Sequence, residues 1–152
     1  MKTINTDEVG FLCFDFDGVI LDTIELKKRA FTQIYDQLTK SQIAYVEQFQ
    51  TQNGGVDRFE KFAHFERKFF GKEISPKKSR LLSLRLSEII IKNISDCDFI
   101  DGVLEFIKSA RAQGLPCGVA SAMPCAELEL ILNKFQIRDE FQFVSGTPTP
   151  KK

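Results

Sequence analysis

The chain is 152 residues long, enough for one compact domain or a small core with an insertion, and too short for two full-sized domains. Hydrophobic residues (43%) and charged residues (28%) stand in the proportions of an ordinary globular protein. Lys plus Arg and Asp plus Glu both total 21, so no net basic field exists to recruit nucleic acid or an anionic membrane. An anionic ligand would have to be met by local groups.

Met1 to Gly10 is polar and carries both charge signs, which does not suit the apolar centre of a signal peptide. No apolar run approaches the ~20 residues that span a bilayer. The expectation is a cytoplasmic protein with neither a nucleic-acid nor a membrane partner. Cys13, Cys97, Cys117 and Cys125 share no C-x-x-C spacing, and reduced, buried thiols are expected rather than disulfides or a zinc site.

In chain order, Phe11 to Phe16 is a short apolar run interrupted by Asp15 and bounded by Gly10 and Gly18, the pattern of a buried strand with acids at its C-terminal end. Residues 23–95 then contain no convincing strand. Phe31, Ile34, Tyr35 and Leu38 recur at helical spacing, followed by Ile43, Val46 and Phe49 up to the break at Asn53-Gly54-Gly55. Asp57 and Glu60 have the spacing of a capping box opening a helix that ends at Gly71, and Ser75-Pro76 opens a fourth helix carrying Leu82, Leu86, Ile89 and Ile90. His64, among phenylalanines, is expected to pack rather than to catalyse.

After this stretch, Val103 to Ala112 reads as a helix with Asp101 as candidate N-cap and Gly114 as its stop. Pro116 to Ala120 reads as a strand ending at Ser121, Pro124 to Phe135 as a helix, and Phe141 to Ser145 as a third strand. The alternation predicts an α/β fold with a Rossmann-like parallel sheet and an inserted α-helical domain, divided as 1–22 with 96–152 and 23–95. A sheet of so few strands leaves an edge through which copies can pair.

The chemistry concentrates in Asp15-Phe16-Asp17-Gly18-Val19-Ile20-Leu21-Asp22-Thr23. Two carboxylates at i and i+2 leave a strand at the end where open α/β sheets bind ligands. This run resembles the first motif of the haloacid dehalogenase (HAD) superfamily, and the likeness covers almost the whole chain. It implies that Asp15 is a nucleophile forming an aspartyl-phosphate and that Asp17 is the general acid and base. Dehalogenating members lack the second Asp, so its presence favours phosphate over halide.

The same resemblance implies that Ser121 holds a phosphoryl oxygen, with Gly18 and Ala122 beside the phosphate. It implies that Lys151, or else Lys152, in the Gly146 to Lys152 tail offsets the nucleophile's charge. The inserted helices are similar to the C1 cap of the β-phosphoglucomutase-like branch, with the Asn53 to Phe62 segment resembling a substrate-specificity loop. In it Gly55 lets the backbone approach a ligand, Arg58 offers a planar donor fork, and Lys61 assists one turn on. Taken alone, Arg58 is equally read as an ion-pair partner of Asp57 and Glu60 on an exposed helix.

Members of the superfamily carry a fourth, acidic motif after a further strand, which completes a Mg²⁺ site with Asp15 and Asp17. The sequence reaches Lys152 before that motif, so roughly the last quarter to third of a typical member is expected to be absent and Mg²⁺ to be held weakly. The activity implied is a Mg²⁺-dependent phosphatase for a small phosphorylated metabolite such as a sugar phosphate. The alternatives are a phosphomutase using the same Asp15, or a weakly active or inactive fragment.

Overall fold

A computed structural model describes residues 9–35 and 37–147. The elements are β1 (Leu12–Asp15), α1 (Ile24–Gln33), α2 (Lys40–Gln52), α3 (Arg58–Phe70), α4 (Pro76–Asn93), α5 (Val103–Ala112), β2 (Cys117–Pro124), α6 (Cys125–Lys134) and β3 (Phe143–Thr147). The chain divides into two compact units, residues 1–22 with 98–152, and residues 23–97. The fold is α/β with a parallel sheet, as the strand and helix alternation predicts.

In the first unit β2 is central, paired in parallel with β1 on one side and β3 on the other. Its Cys117 and Val119 are fully buried, and they share the core with Ile107 and Ala110 of α5 and Leu128, Ile131 and Leu132 of α6. Phe14 of β1 packs edge-on against Phe106 and Phe141. Beyond β1, the Phe16 carbonyl accepts from the N–H groups of Ile20 and Leu21, and the side chains of all three residues are buried. This closes a tight turn, whose N–H of Gly18 donates to the Leu21 carbonyl at 2.8 Å. Gly18 has φ +71°, a left-handed conformation that a residue without Cβ adopts at no steric cost.

The second unit is helical among its described residues. α1 packs on α2 and α4, and α3 on α4. Helix starts follow local capping chemistry. The Asp57 carboxylate accepts from the Phe59 N–H at 2.7 Å, the Ser75 hydroxyl from the Lys78 N–H at 3.2 Å, and Thr39 forms a reciprocal capping box with Gln42. α3 ends at Gly71 in the left-handed conformation. Its buried face carries Phe62 and Phe65, but also Arg58, Lys61 and Glu66, the last in an ion pair of 2.8 Å with Lys78. His64 packs as expected. Its ring stacks on Phe49 with centroids 4.4 Å apart, and its Nε2 shares a hydrogen bond of 2.8 Å with the Tyr45 hydroxyl.

Four readings of the sequence are corrected. α5 is entered through Gly102 at φ +77°, not through a capping Asp101, because the left-handed glycine turns the chain into the helix without a side-chain cap. α1 stops at Gln33, so Leu38 lies outside it. β2 runs on to Pro124 through an irregularity after Ala120, and α6 starts at Cys125 with Pro124 at the cap position. Of the four free cysteines only Cys117 is buried. Cys13 is exposed, since it points to the opposite face of β1 from Leu12 and Phe14.

Two outcomes are expected for stability. A Cβ at Gly146 would lie within 2.6 Å of the backbone of Cys125 and Met123, which cannot rotate away. The three atoms nearest a Cβ at Gly118 would all belong to the ring of Phe143, an exposed side chain. Gly146→Ala should therefore cost about 1–3 kcal/mol, the range for overpacking, and Gly118→Ala distinctly less, as read by thermal denaturation. For pH, burial and then Lys68 and Arg67 hold the folded-state pKa of His64 below its ordinary value near 6.5. The unfolded chain then binds the proton first, so the contribution is present above pH 6.5 and lost as pH falls through the lower folded value. His64→Phe should flatten that part of the stability–pH curve.

Candidate active site

The site is built where β1 ends beside the middle of β2. Parallel pairing sets Asp15 opposite Ala120, so Phe16-Asp17 leave the sheet beside Ser121, where β2 becomes irregular. Asp15 is exposed, and its Oδ1 accepts from the N–H of Phe16 at 2.7 Å. That bond holds one carboxylate oxygen against the chain's own backbone.

Asp17 is half-buried. Its Oδ2 accepts from the Ser121 hydroxyl at 3.1 Å, and Ser121 Oγ in turn accepts from the N–H of Met123 at 3.2 Å. The relay from backbone N–H through a hydroxyl to a carboxylate fixes the hydroxyl's rotor and the acid's orientation together. Ala122 lies beside Ser121, with its carbonyl accepting from the Thr147 hydroxyl at 2.8 Å, which ties β3 to the same end of the sheet. Gly18 supplies the turn directly after Asp17. Ser121 sits within the irregular part of β2 and does not cap α6.

Of the residues singled out in the sequence, Asp15, Asp17, Gly18, Ser121 and Ala122 all lie in the first unit. Sequence reasoning did not find the Met123 N–H or the Thr147 hydroxyl. Neither has a residue-type signal, because one is backbone and the other acts through pairing of β3. Lys151 and Lys152 lie outside the described residues.

The remaining candidates are in the helical unit. Gly55 is exposed in the loop before α3. Arg58 is buried, and its guanidinium donates to Ser87 Oγ at 2.8 Å and reaches the Ser83 carbonyl at 3.4 Å, both on α4. It does not stand on an exposed helix face. Lys61 is buried too, donating to Gln50 Oε1 at 2.8 Å with the Gly54 carbonyl at 3.4 Å. Gln50 was missed, although a polar residue four positions after Val46 on an apolar helix face is a signal that something there requires it.

A family model described as haloacid dehalogenase-like hydrolase matches residues 12–152. Among solved structures, the chain is similar to a β-phosphoglucomutase from Clostridium difficile, with TM-score 0.71 and 18% identity over 95% of this chain and 64% of that one. It is similar to CbbY from Rhodobacter sphaeroides in complex with phosphate, with TM-score 0.74 and 20% identity over 95% and 66%. It is also similar to a HAD hydrolase, family IA, variant 3, from Entamoeba histolytica HM-1:IMSS, with TM-score 0.72 and 15% identity over 95% and 64%. The chain thus spans just under two thirds of the length of these structures, and at such identities the likeness is one of fold. No curated protein matches the sequence. The model's match over nearly the whole chain, together with Asp15, Asp17 and Ser121 meeting at one end of a parallel sheet, places the protein in the haloacid dehalogenase-like hydrolase family.

Proposed function

We propose that the protein is a phosphoryl-transfer hydrolase acting on a small phosphorylated metabolite, with Asp15 as the nucleophile. The observation that carries the reading is the grouping of Asp15 with the Asp17–Ser121 pair at the C-terminal end of the strands. A carboxylate, a second acid held by a hydroxyl, and that hydroxyl are the parts such chemistry needs.

In this reading an oxygen of Asp15 attacks phosphorus, and the bond to the leaving alkoxide breaks as Asp17 gives that oxygen its proton. Asp17, now a carboxylate, takes a proton from water. The water oxygen attacks the phosphorus of the aspartyl-phosphate and releases phosphate and the Asp15 carboxylate. Ser121 donates to a phosphoryl oxygen as charge builds on it. For that its hydroxyl rotates away from Asp17, while the Met123 N–H continues to hold the oxygen in place. Gly18 and Ala122 line the phosphate, and Lys151 or Lys152 supplies further positive charge.

Mg²⁺ fits the donor chemistry. Among the described residues no group of three or more His, Cys, Asp or Glu is placed to hold a metal. Mg²⁺, however, keeps several waters and is commonly bound by one or two carboxylates with substrate phosphate, which Asp15 and Asp17 can supply. When bound it would offset the charge between carboxylate and phosphate. We further propose that residues 23–97 form a cap domain whose Gly55, Arg58 and Lys61 read the part of the substrate that does not react, and that the protein works in the cytoplasm.

Asp15→Asn should abolish Asp15-dependent release of phosphate from p-nitrophenyl phosphate, because the amide is a far poorer nucleophile. Asp17→Asn should slow it by about 10²–10⁴-fold, the usual worth of general acid–base catalysis. Undiminished turnover in either variant would remove that residue from the mechanism. Arg58→Ala should do two things. Loss of the contacts to Ser83 and Ser87 should lower stability by about 1–3 kcal/mol in thermal unfolding. KM for the metabolite should rise more than KM for an aryl phosphate, and equal rises would confine Arg58 to holding α3 against α4.

A further inference from the structure

We propose that the outer face of α4 is a self-association surface, on which a second copy of this chain docks its own α4 antiparallel, Leu81 of each copy meeting Leu84 of the other. The surface belongs to the helical unit alone and does not depend on the phosphoryl-transfer reading.

α4 is the longest of the described helices, 18 residues from Pro76 to Asn93. Its inner face carries Leu82, Leu86 and Ile90, all buried. At about 3.6 residues per turn, Lys77, Leu81, Leu84 and Glu88 fall on the opposite side, and all four are exposed. Leu81 is 55% and Leu84 63% exposed, more than any other large hydrophobic residue described in the helical unit. Leucines scattered singly over a surface need no explanation, but these two are neighbours on one stripe. The steps of four, three and four residues along the stripe average about 3.5, the repeat of the narrow seam by which two helices pair.

Charge decides what the stripe fits. It is basic at the N-terminal end and acidic at the C-terminal end, so a partner of one sign complements only half of it. Neither Lys77 nor Glu88 has an ion-pair partner among the described residues. Lys77 is moreover the second residue of its helix, in a first turn that holds no acid. A cation there opposes the helix dipole, so the helix itself does not call for it.

A second copy laid antiparallel, about the midpoint between Leu82 and Ser83, brings Leu84 against Leu81 and Glu88 against Lys77, each contact occurring twice by symmetry. Apolar contact at the centre and opposite charges at both ends then coincide. A parallel copy would set Lys77 against Lys77 and Glu88 against Glu88. Two leucine layers make a small seam, which puts the association in the weak, transient class of interfaces.

The test is sedimentation velocity of the full chain from about 10 µM to about 1 mM, the span expected for the dissociation constant of such an interface. The parent should pass reversibly from monomer to dimer over that range. Leu84→Glu, at an exposed position, should keep its melting temperature and stay monomeric throughout. Lys77→Glu and Glu88→Lys should each weaken the dimer by about tenfold, or about 1.4 kcal/mol, since each replaces two opposite-charge pairs by two like-charge pairs. Joined in one chain, the two changes restore the pairs, and the double variant should return to within about threefold of the parent. An equal mixture of the two single variants should do the same, because each copy of one finds its complement only in the other. These charge variants leave the leucines in place, so they decide the matter even if Leu84→Glu fails to fold. A parent that stays monomeric at about 1 mM overturns the inference. So does a dimer that survives Leu84→Glu, or charge variants that do not weaken it alone or do not recover together.

Discussion

The register of β1 against β2 is the constraint on which the site depends. With Asp15 opposite Ala120, the second acid and the serine emerge at the same height and close a hydrogen bond across 104 residues of sequence. A slip of one residue would turn every side chain of β1 to the other face, putting Leu12 and Phe14 where Cys13 and Asp15 now lie. That slip is opposed by Phe14, which is wedged against Phe106 and Phe141, and by the burial of Phe16, Ile20 and Leu21 just beyond the strand. Asp15 is exposed and Asp17 half-buried, while Phe16 between them is buried.

The helical unit solves a different problem. α3 buries three ionisable side chains on the face that also carries Phe62 and Phe65, and each would be costly without a partner. Arg58 meets serines of α4, Lys61 an amide of α2, and Glu66 a lysine at the start of α4. Apolar packing alone would let α3 slide or rotate with little change in energy. These contacts, spaced along two turns and aimed at two different helices, make one placement better than its neighbours.

Local chemistry was the most legible part of the sequence. Asp57, Gly71 and Ser75 mark helix ends because capping involves residues within a few positions of one another, and the Asp15 to Thr23 run is recognisable because its parts are contiguous. Ser121 was found as a hydroxyl at a strand end, but the strand itself runs three residues further, held by pairing with Thr147 that no local pattern records. Asp101 is the expected cap of α5 because side-chain capping is the commoner solution, whereas here a left-handed Gly102 precedes the helix. Cys13 looked buried within an apolar run. Which face of a strand is covered depends on packing partners, and those are decided by topology. The depth of Arg58 was illegible for the same reason.

The junction at which the helical unit leaves the first unit has a consequence for folding. The N–H of Asp22 donates to the Asp98 carbonyl at 2.9 Å, Leu21 bridges antiparallel to Phe99, and the N–H of Ile100 donates to the Ile20 carbonyl. The chain therefore departs and returns at the same spot, through a narrow neck. Pairing β1 with β2 would otherwise require closing a loop of about a hundred residues, an entropic debt that grows with the logarithm of loop length. Once the neck has formed, the effective separation between the two strands falls to residues 16–21 and 99–116, α5 among them. A contact that is among the most distant in sequence thus becomes a nearly local one in folding order.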